Sequence, residues 1–524
     1  MKRDTLFRNF RLPGQAGGGI GALLARKGRV ALVGPEKEVL REWGWRDLPE
    51  VDLRGGYLFP GFRDAHGHLF WLGKELLEVD LTGARSWGEV LDLVAARARS
   101  LPPGTWILGG GWDPEKWSAG EGPNLEDLSR AAPENPVWLV RRDGHAGIAS
   151  PLALEAAGVK KETPDPAGGR ILRDEGGAPT GVLVDQAMEL VERVLPGADA
   201  RVEKERFLAA RDRCLRAGLT AVGEAGVTSL QVSVLEDLRR EGELGLRVYA
   251  MRLPGKEEEG EGIPWEPSGR AGDLLQVRAL KLFADGSLGS RSAAMFEPFE
   301  GEEENRGILL LEAREIARWA RASLEKGFQL CVHAIGDRAL AAVLEGYEEA
   351  LEGRERPSLP FRVEHVQTRR KGDLERMKAL GVVPSLQPAH LLSDGHWARE
   401  ALGPDRWLLS YGLADFVEAG LRPAGGSDFP VEPPDPLRGF YAAVTGGGGL
   451  RPDQALSREA ALELFTSWAA GGTGEERICG KVEPGYACDF TVLDRDILTC
   501  PVEEIREARV LATVVEGRVF HHEA

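Results

Sequence analysis

Both ends of the chain carry short runs of alternating apolar and polar residues, and a different rhythm fills the space between them. Residues 22–34 (ALLARKGRVALVG), 486–493 (YACDFTVL) and 509–520 (RVLATVVEGRVF) are β-type runs broken at glycine, which predicts hairpins turning at Lys27-Gly28 and Glu516-Gly517. Between them, short apolar runs stand before helical periods, the signature of a parallel α/β architecture. Eight runs read as strands: 58–64, 219–224, 246–251, 276–283, 328–333, 361–366, 382–387 and 421–427. Helical periods at 312–326, 337–352 and 457–470 follow some of them, so a (β/α)8 TIM-like barrel is the natural closure. The barrel region, 57–477, is far longer than the roughly 250 residues such a barrel needs. The excess falls at about 83–205, where Gly109-Gly110-Gly111 and the turn-rich stretch Pro164 to Gly169 mark an inserted subdomain after the first strand. The expected organisation is a β-rich segment 1–56, the barrel with its insertion, and a second β-rich segment 478–524.

Composition narrows the class. The chain has 524 residues, and 66 Lys+Arg against 83 Asp+Glu give a formal charge of −17. That balance disfavours nucleic acid, whose binding rests on clustered cations, and an anionic membrane surface. With 42% hydrophobic residues the chain can bury a substantial core, so it is expected to fold without staples. Its five cysteines are scattered and form no CxxC pair, which argues against a disulfide framework and fits a reducing cytoplasm. The N-terminus lacks an apolar signal region, and no run of about 18 apolar residues occurs, so membrane spanning is not expected.

Candidate chemistry sits at the predicted strand ends. His66 and His68, in PGFRDAHGHL, are two apart, so an extended chain places both imidazoles on one side, where they can share a metal. His333 ends one predicted strand (LCVHAIGD), His365 the next (RVEHVQ), and Asp428 closes the last (AGGSDFPV). In a barrel the C-terminal strand ends converge on one mouth, so these distant residues become neighbours. Taken singly, each is equally a core histidine or a turn aspartate; together, imidazole and carboxylate suit Zn, Mn, Fe or Ni better than Ca or Mg. Lys281, flanked by apolar residues on a predicted core strand, must lose its proton, find a partner or be modified.

These motifs resemble the metal-dependent amidohydrolase superfamily, specifically the amidohydrolase-3 branch that includes YtcJ-like proteins and N-substituted formamide deformylases. The resemblance runs through PGFRDAHGHL (60–69), GGGWD (109–113), RRDGHA (141–146), LKLFADGSLGSRSA (280–293), VHAIGDRA (332–339), RVEHVQ (362–367), SLQPAHLLSD (385–394), GGSDFPV (425–431) and EPGYACDFTVLDRD (483–496), and so covers nearly the whole chain. It implies a distorted barrel beside a small β-sandwich built from both termini. It also implies a binuclear centre, two Zn or else Mn, Fe or Ni, held by His66, His68, His333, His365, Asp428 and Lys281. There Lys281 would be a bridging carbamate formed with carbon dioxide, and Asp428 the general base and acid for hydrolysis of a carbon–nitrogen bond. His145, His390, Asp285, Arg291 and Trp112 fall in the family's motifs outside that ligand set and are expected near the substrate, each with a structural hydrogen bond, ion pair or packing as its plainer role. The expected substrate is a small N-acyl or N-formyl amide. Cyclic-amide hydrolysis or deamination is the alternative within the superfamily, a catalytically silent scaffold the alternative outside enzymes, and a homodimer is compatible with all three. Two departures stand out: Arg63 replaces a commonly apolar residue, and Gly67 stands where Thr or Val is usual.

Overall fold

The computed structural model describes residues 4–14, 19–43, 47–117, 122–255 and 263–523. They divide into two compact units, one formed by Met1–Leu69 with Ala210–Ala524 and the other by Phe70–Ala209.

The first unit contains the barrel. Its strands are β1 (Phe62–Gly67), β2 (Leu219–Val227), β3 (Arg247–Arg252), β4 (Leu275–Phe283), β5 (Gln329–Ala334), β6 (Arg362–His365), β7 (Val383–Leu386) and β8 (Ala424–Gly425). Each pairs in parallel with the next, in chain order. All eight predicted runs contribute a strand, and the helices Ala313–Lys326 and Asp337–Leu351 stand where the periodicity puts them. The third helical stretch is two short helices, Arg458–Leu464 and Ser467–Gly471, because Thr466 between them leaves helical geometry at φ −136°.

The first predicted strand is divided. Tyr57–Pro60 pairs antiparallel with Phe490–Leu493 in the terminal sheet, while β1 pairs with β2 in the barrel. Gly61 marks the break: its N–H donates to Asp489 O at 3.1 Å, and a Cβ there would stand 2.3 Å from Thr220 Oγ1. One apolar run thus serves two sheets.

The terminal sheet has eight strands drawn from both chain ends. Phe7, Phe10, Leu23, Leu58, Phe490, Val492 and Val514, from strands of both chain ends, pack into one core, and Phe7 meets Phe490 edge-on at 5.0 Å. Both predicted hairpins form: Lys27-Gly28 and Glu516-Gly517 all have positive φ, the requirement of a type I′ turn.

The second unit has its own six-stranded mixed sheet, from Val79–Asp80 to Gly169–Arg173. One face packs around Trp87, Trp112, Trp117 and Leu139, the other around Trp138, Leu154, Leu183 and Val191.

Candidate metal centre

The barrel closes where β8 meets β1, and the site is built on that seam. β8 is two residues long and no strand ladder joins it to β1 among the described residues. Single hydrogen bonds cross instead: Asp428 N–H donates to His66 O at 2.7 Å and His68 N–H to Phe429 O at 2.8 Å. Asp64 adds a side-chain tie, accepting from the Ser427 hydroxyl at 2.6 Å and from the N–H groups of Ser427 and His66 at 3.1 Å each. Asp428 itself is left-handed, at φ 62°. Its Oδ1 thereby comes to 3.0 Å from His68 Nε2 and 3.5 Å from His66 Nε2. One ligand atom from each of His66, His68 and Asp428 fits within a 4.8 Å span.

His333 and His365 lie on the adjoining strands, their ring centroids 4.5 Å apart, and His365 stands 4.7 Å from His66. Each ring of this trio has one nitrogen engaged from behind. His66 Nδ1 is 2.6 Å from Glu364 Oε2, His365 Nδ1 is 2.8 Å from Gln387 Oε1, and His333 Nε2 is 3.0 Å from Gly286 O. All three partners are acceptors, so each engaged nitrogen carries the proton and the opposite one keeps its lone pair. Burial, followed by the Lys281 charge, lowers the pKa of His66 to about 4 and that of His333 to about 3; burial and the neighbouring imidazoles hold His365 well below its ordinary value. Neutral imidazoles with a prepared lone pair are the form that binds a divalent metal, and the donor set fits one.

Lys281 is buried, with Nζ 3.2 Å from His66 Nε2 and 5.0 Å from the centre of the Phe283 ring. Asp428 Oδ1 faces His68 Nε2 at 3.0 Å, a hydrogen bond that favours the carboxylate against the cost of its burial. His390 is stacked on His365 at 6.4 Å. Its Nδ1 faces the Gln367 amide nitrogen at 3.1 Å, and its buried Nε2 has no hydrogen-bond partner among the described residues and lies 4.0 Å from Asp428 Oδ2.

The remaining sequence-predicted residues are engaged in other ways. The Asp285 carboxylate is buried and taken up by the backbone N–H groups of Ala294, Ile335 and Gly336 at 2.9, 3.0 and 2.7 Å, which fixes the loops after β4 and β5. Arg291 pairs with Glu302 at 2.6 Å. In the second unit, His145 is exposed with Nδ1 3.0 Å from Asp185. Trp112 is 2% exposed, stacks on Trp117 and donates its indole N–H to Leu139 O at 3.0 Å, so packing occupies both its ring and its polar handle. Sequence reasoning passed over Glu364, Gln387, Asp64 and Arg362. A charged pair inside an apolar strand, RVEH, was the one available signal for two of them.

Fold and the clustered His and Asp side chains together are of the amidohydrolase type. Residues 49–521 match the model of the amidohydrolase family (Amidohydro_3), and the chain belongs to that family. It is 30% identical over 516 residues to YtcJ of Bacillus subtilis (strain 168), a protein named as an amidohydrolase, covering 96% of each chain. It is 29% identical to the N-substituted formamide deformylase of Arthrobacter pascens, covering 95% of this chain and 94% of that one. Among solved structures it is similar to an uncharacterized metal-dependent hydrolase from Pyrococcus furiosus, with a TM-score of 0.75 and 29% identity over 95% of this chain and all of the other.

Proposed function

We propose that this protein hydrolyses a non-peptide carbon–nitrogen bond in a small N-acyl or N-formyl amide, using a divalent metal. The observation that carries the reading is the seam: it sets a carboxylate, Asp428, within 3.0 Å of His68 and 3.5 Å of His66, beside two further neutral imidazoles. His66, His68, His333, His365 and Asp428 would hold the metal, Zn or else Mn, Fe or Ni, and Lys281 as a carbamate would allow a second ion. When bound, such an ion polarises the scissile carbonyl and makes water a better nucleophile near neutral pH.

The chain's own residues supply the rest. Asp428, a carboxylate hydrogen-bonded with His68 Nε2, accepts the proton of the attacking water and returns it to the departing nitrogen. With the Gln367 amide nitrogen donating to its Nδ1, His390 carries its proton on Nε2, and that unpartnered N–H is suited to a carbonyl oxygen beside Asp428. A pocket next to His365 is lined by Val366, Gln367, Leu386, Pro388, Leu391 and Leu413 among others, with no charged Asp, Glu, Lys or Arg in its lining, which favours a neutral substituent there.

The test is a panel of formamides, N-acyl amines, N-acyl amino acids and cyclic amides with Zn-, Mn- and Fe-loaded protein, alongside Asp428→Asn. Loss of a general base costs about 10²–10⁴-fold, so the variant should lose at least that much kcat on any active substrate while keeping its melting temperature. Most of the activity surviving in the variant would defeat the assignment.

A further inference from the structure

Arg362 and Glu364 lie outside the ligand set, yet their geometry is more elaborate than a structural ion pair requires. Both are completely buried on β6. Arg362 grips the carboxylate with two donors, Nε to Oε1 at 2.9 Å and Nη2 to Oε2 at 2.9 Å. The same Nη2 reaches Ala65 O on β1 at 3.0 Å and Ser385 Oγ on β7 at 3.1 Å. A single guanidinium therefore spans β6, β7 and β1, reaching both neighbours of the two-residue β8 where the barrel has no ladder of its own.

A carboxylate held by a planar fork has one orientation. Glu364 Oε2 uses its remaining acceptor capacity on His66 Nδ1 at 2.6 Å, and that imidazole inherits the orientation. With both oxygens gripped by the guanidinium, Glu364 presents an acceptor to the His66 Nδ1–H.

We propose that Arg362 and Glu364 are positioning residues that couple closure of the barrel seam to the presentation of His66, fixing its Nδ1–H tautomer and leaving Nε2 unprotonated, as a ligand for a divalent cation. The inference rests on the metal-centre reading given above. It makes the seam and the site one device, in which loosening β1 from β6 and β7 turns His66 away from its working direction. A purely structural ion pair would behave differently, because replacing a buried pair by apolar residues of similar volume is commonly neutral or stabilising.

The experiment compares full-length wild type, Glu364→Gln, and the double variant Arg362→Met with Glu364→Leu. Three quantities are read: the melting temperature, Zn2+ affinity in competition with a chromophoric chelator, and the histidine 15N spectrum of the metal-free protein. The double variant should stay folded but melt below wild type, because Ala65 O and Ser385 Oγ lose their donor, while binding Zn2+ about 10–100-fold more weakly, and one imidazole should lose its Nδ1–H signature. A folded double variant with wild-type Zn2+ affinity and unchanged histidine tautomers overturns the proposal. Should the double variant not fold, Glu364→Gln decides: it keeps the side chain's volume but loses the charge, and Zn2+ affinity equal to wild type overturns the proposal equally. Failure of wild type to bind Zn2+ would defeat the metal reading itself. In that case the 15N spectra of the metal-free forms still decide whether the pair sets the His66 tautomer.

Discussion

Gly67 shows how a single residue position can be set by what lies across the seam. It stands between His66 and His68, in a sequence context where Thr or Val would resemble the family more closely. A Cβ there would fall 2.3 Å from the ring of Phe429, which is fully buried and follows Asp428. The ring has taken the space that a larger residue would need, so the departure from the usual motif is compensated in packing. Gly67→Val should therefore destabilise the protein by about 1–3 kcal/mol through overpacking, measured by urea unfolding, and adding Phe429→Ala should recover part of the loss. Arg63, the other departure, is equally accounted for: it is buried and paired with Glu475, so its charge has a partner inside the barrel.

Among elements, β8 is the most consequential because it is the shortest. A two-residue strand cannot close a barrel by ladder bonds, and the seam depends instead on Asp64, Ser427, Asp428 and His66. Gly426, immediately after β8, makes their approach feasible: a Cβ there would lie 2.7 Å from His66 N and 2.8 Å from Asp64 Oδ1. Gly426→Ala is expected to cost about 1–3 kcal/mol as the seam is pushed apart and, in the same protein, to weaken Zn2+ binding. Differential scanning calorimetry with and without Zn2+ would show both effects, and a loss of stability with undiminished Zn2+ stabilisation would separate seam from site.

For the whole molecule, charged pairs buried at the starts of barrel strands tie those strands to the chain around the start of the C-terminal segment. Arg63 at the start of β1 meets Glu475, and Arg247 at the start of β3 meets Asp489 at 2.5 Å, just before the terminal-sheet strand Phe490–Leu493. Glu475 also accepts from Gln276 at 2.8 Å, Gly272 N–H at 3.0 Å and Thr473 at 2.9 Å. Burial would raise its pKa, but Arg63, Arg247 and these donors lower it below the ordinary value. Because the folded pKa lies beneath the unfolded one, near 4.3, the unfolded chain binds more protons on the acid side. The Glu475 contribution is thus complete above about pH 4.3 and disappears as pH falls through the depressed folded value. In Glu475→Gln, global stability at pH 7 should drop by about 3–5 kcal/mol, since Arg63 is left buried without its partner. The variant should also show a flatter decline in stability below pH 5 than wild type, read from urea midpoints across pH 3–7.

The pattern of apolar runs was enough to locate all eight barrel strands and both terminal hairpins, because strand burial and type I′ turns leave local marks. It was also enough to nominate His66, His68 and Asp428, because a His-x-His on an extended chain and an aspartate after a strand need no distant information. What remained for the tertiary structure was everything that depends on which surfaces meet. Run 58–64 is divided between two sheets because Gly61 lies where Thr220 and Asp489 approach, and neither is near it in sequence. Trp112 and Asp285 carry motif residues into packing and loop fixation, because burial is a property of the assembled neighbourhood. Glu364 and Gln387 acquire their meaning only when β6 and β7 stand beside β1, since a hydrogen bond to the back of an imidazole is set by the closed barrel and not by any spacing along the chain.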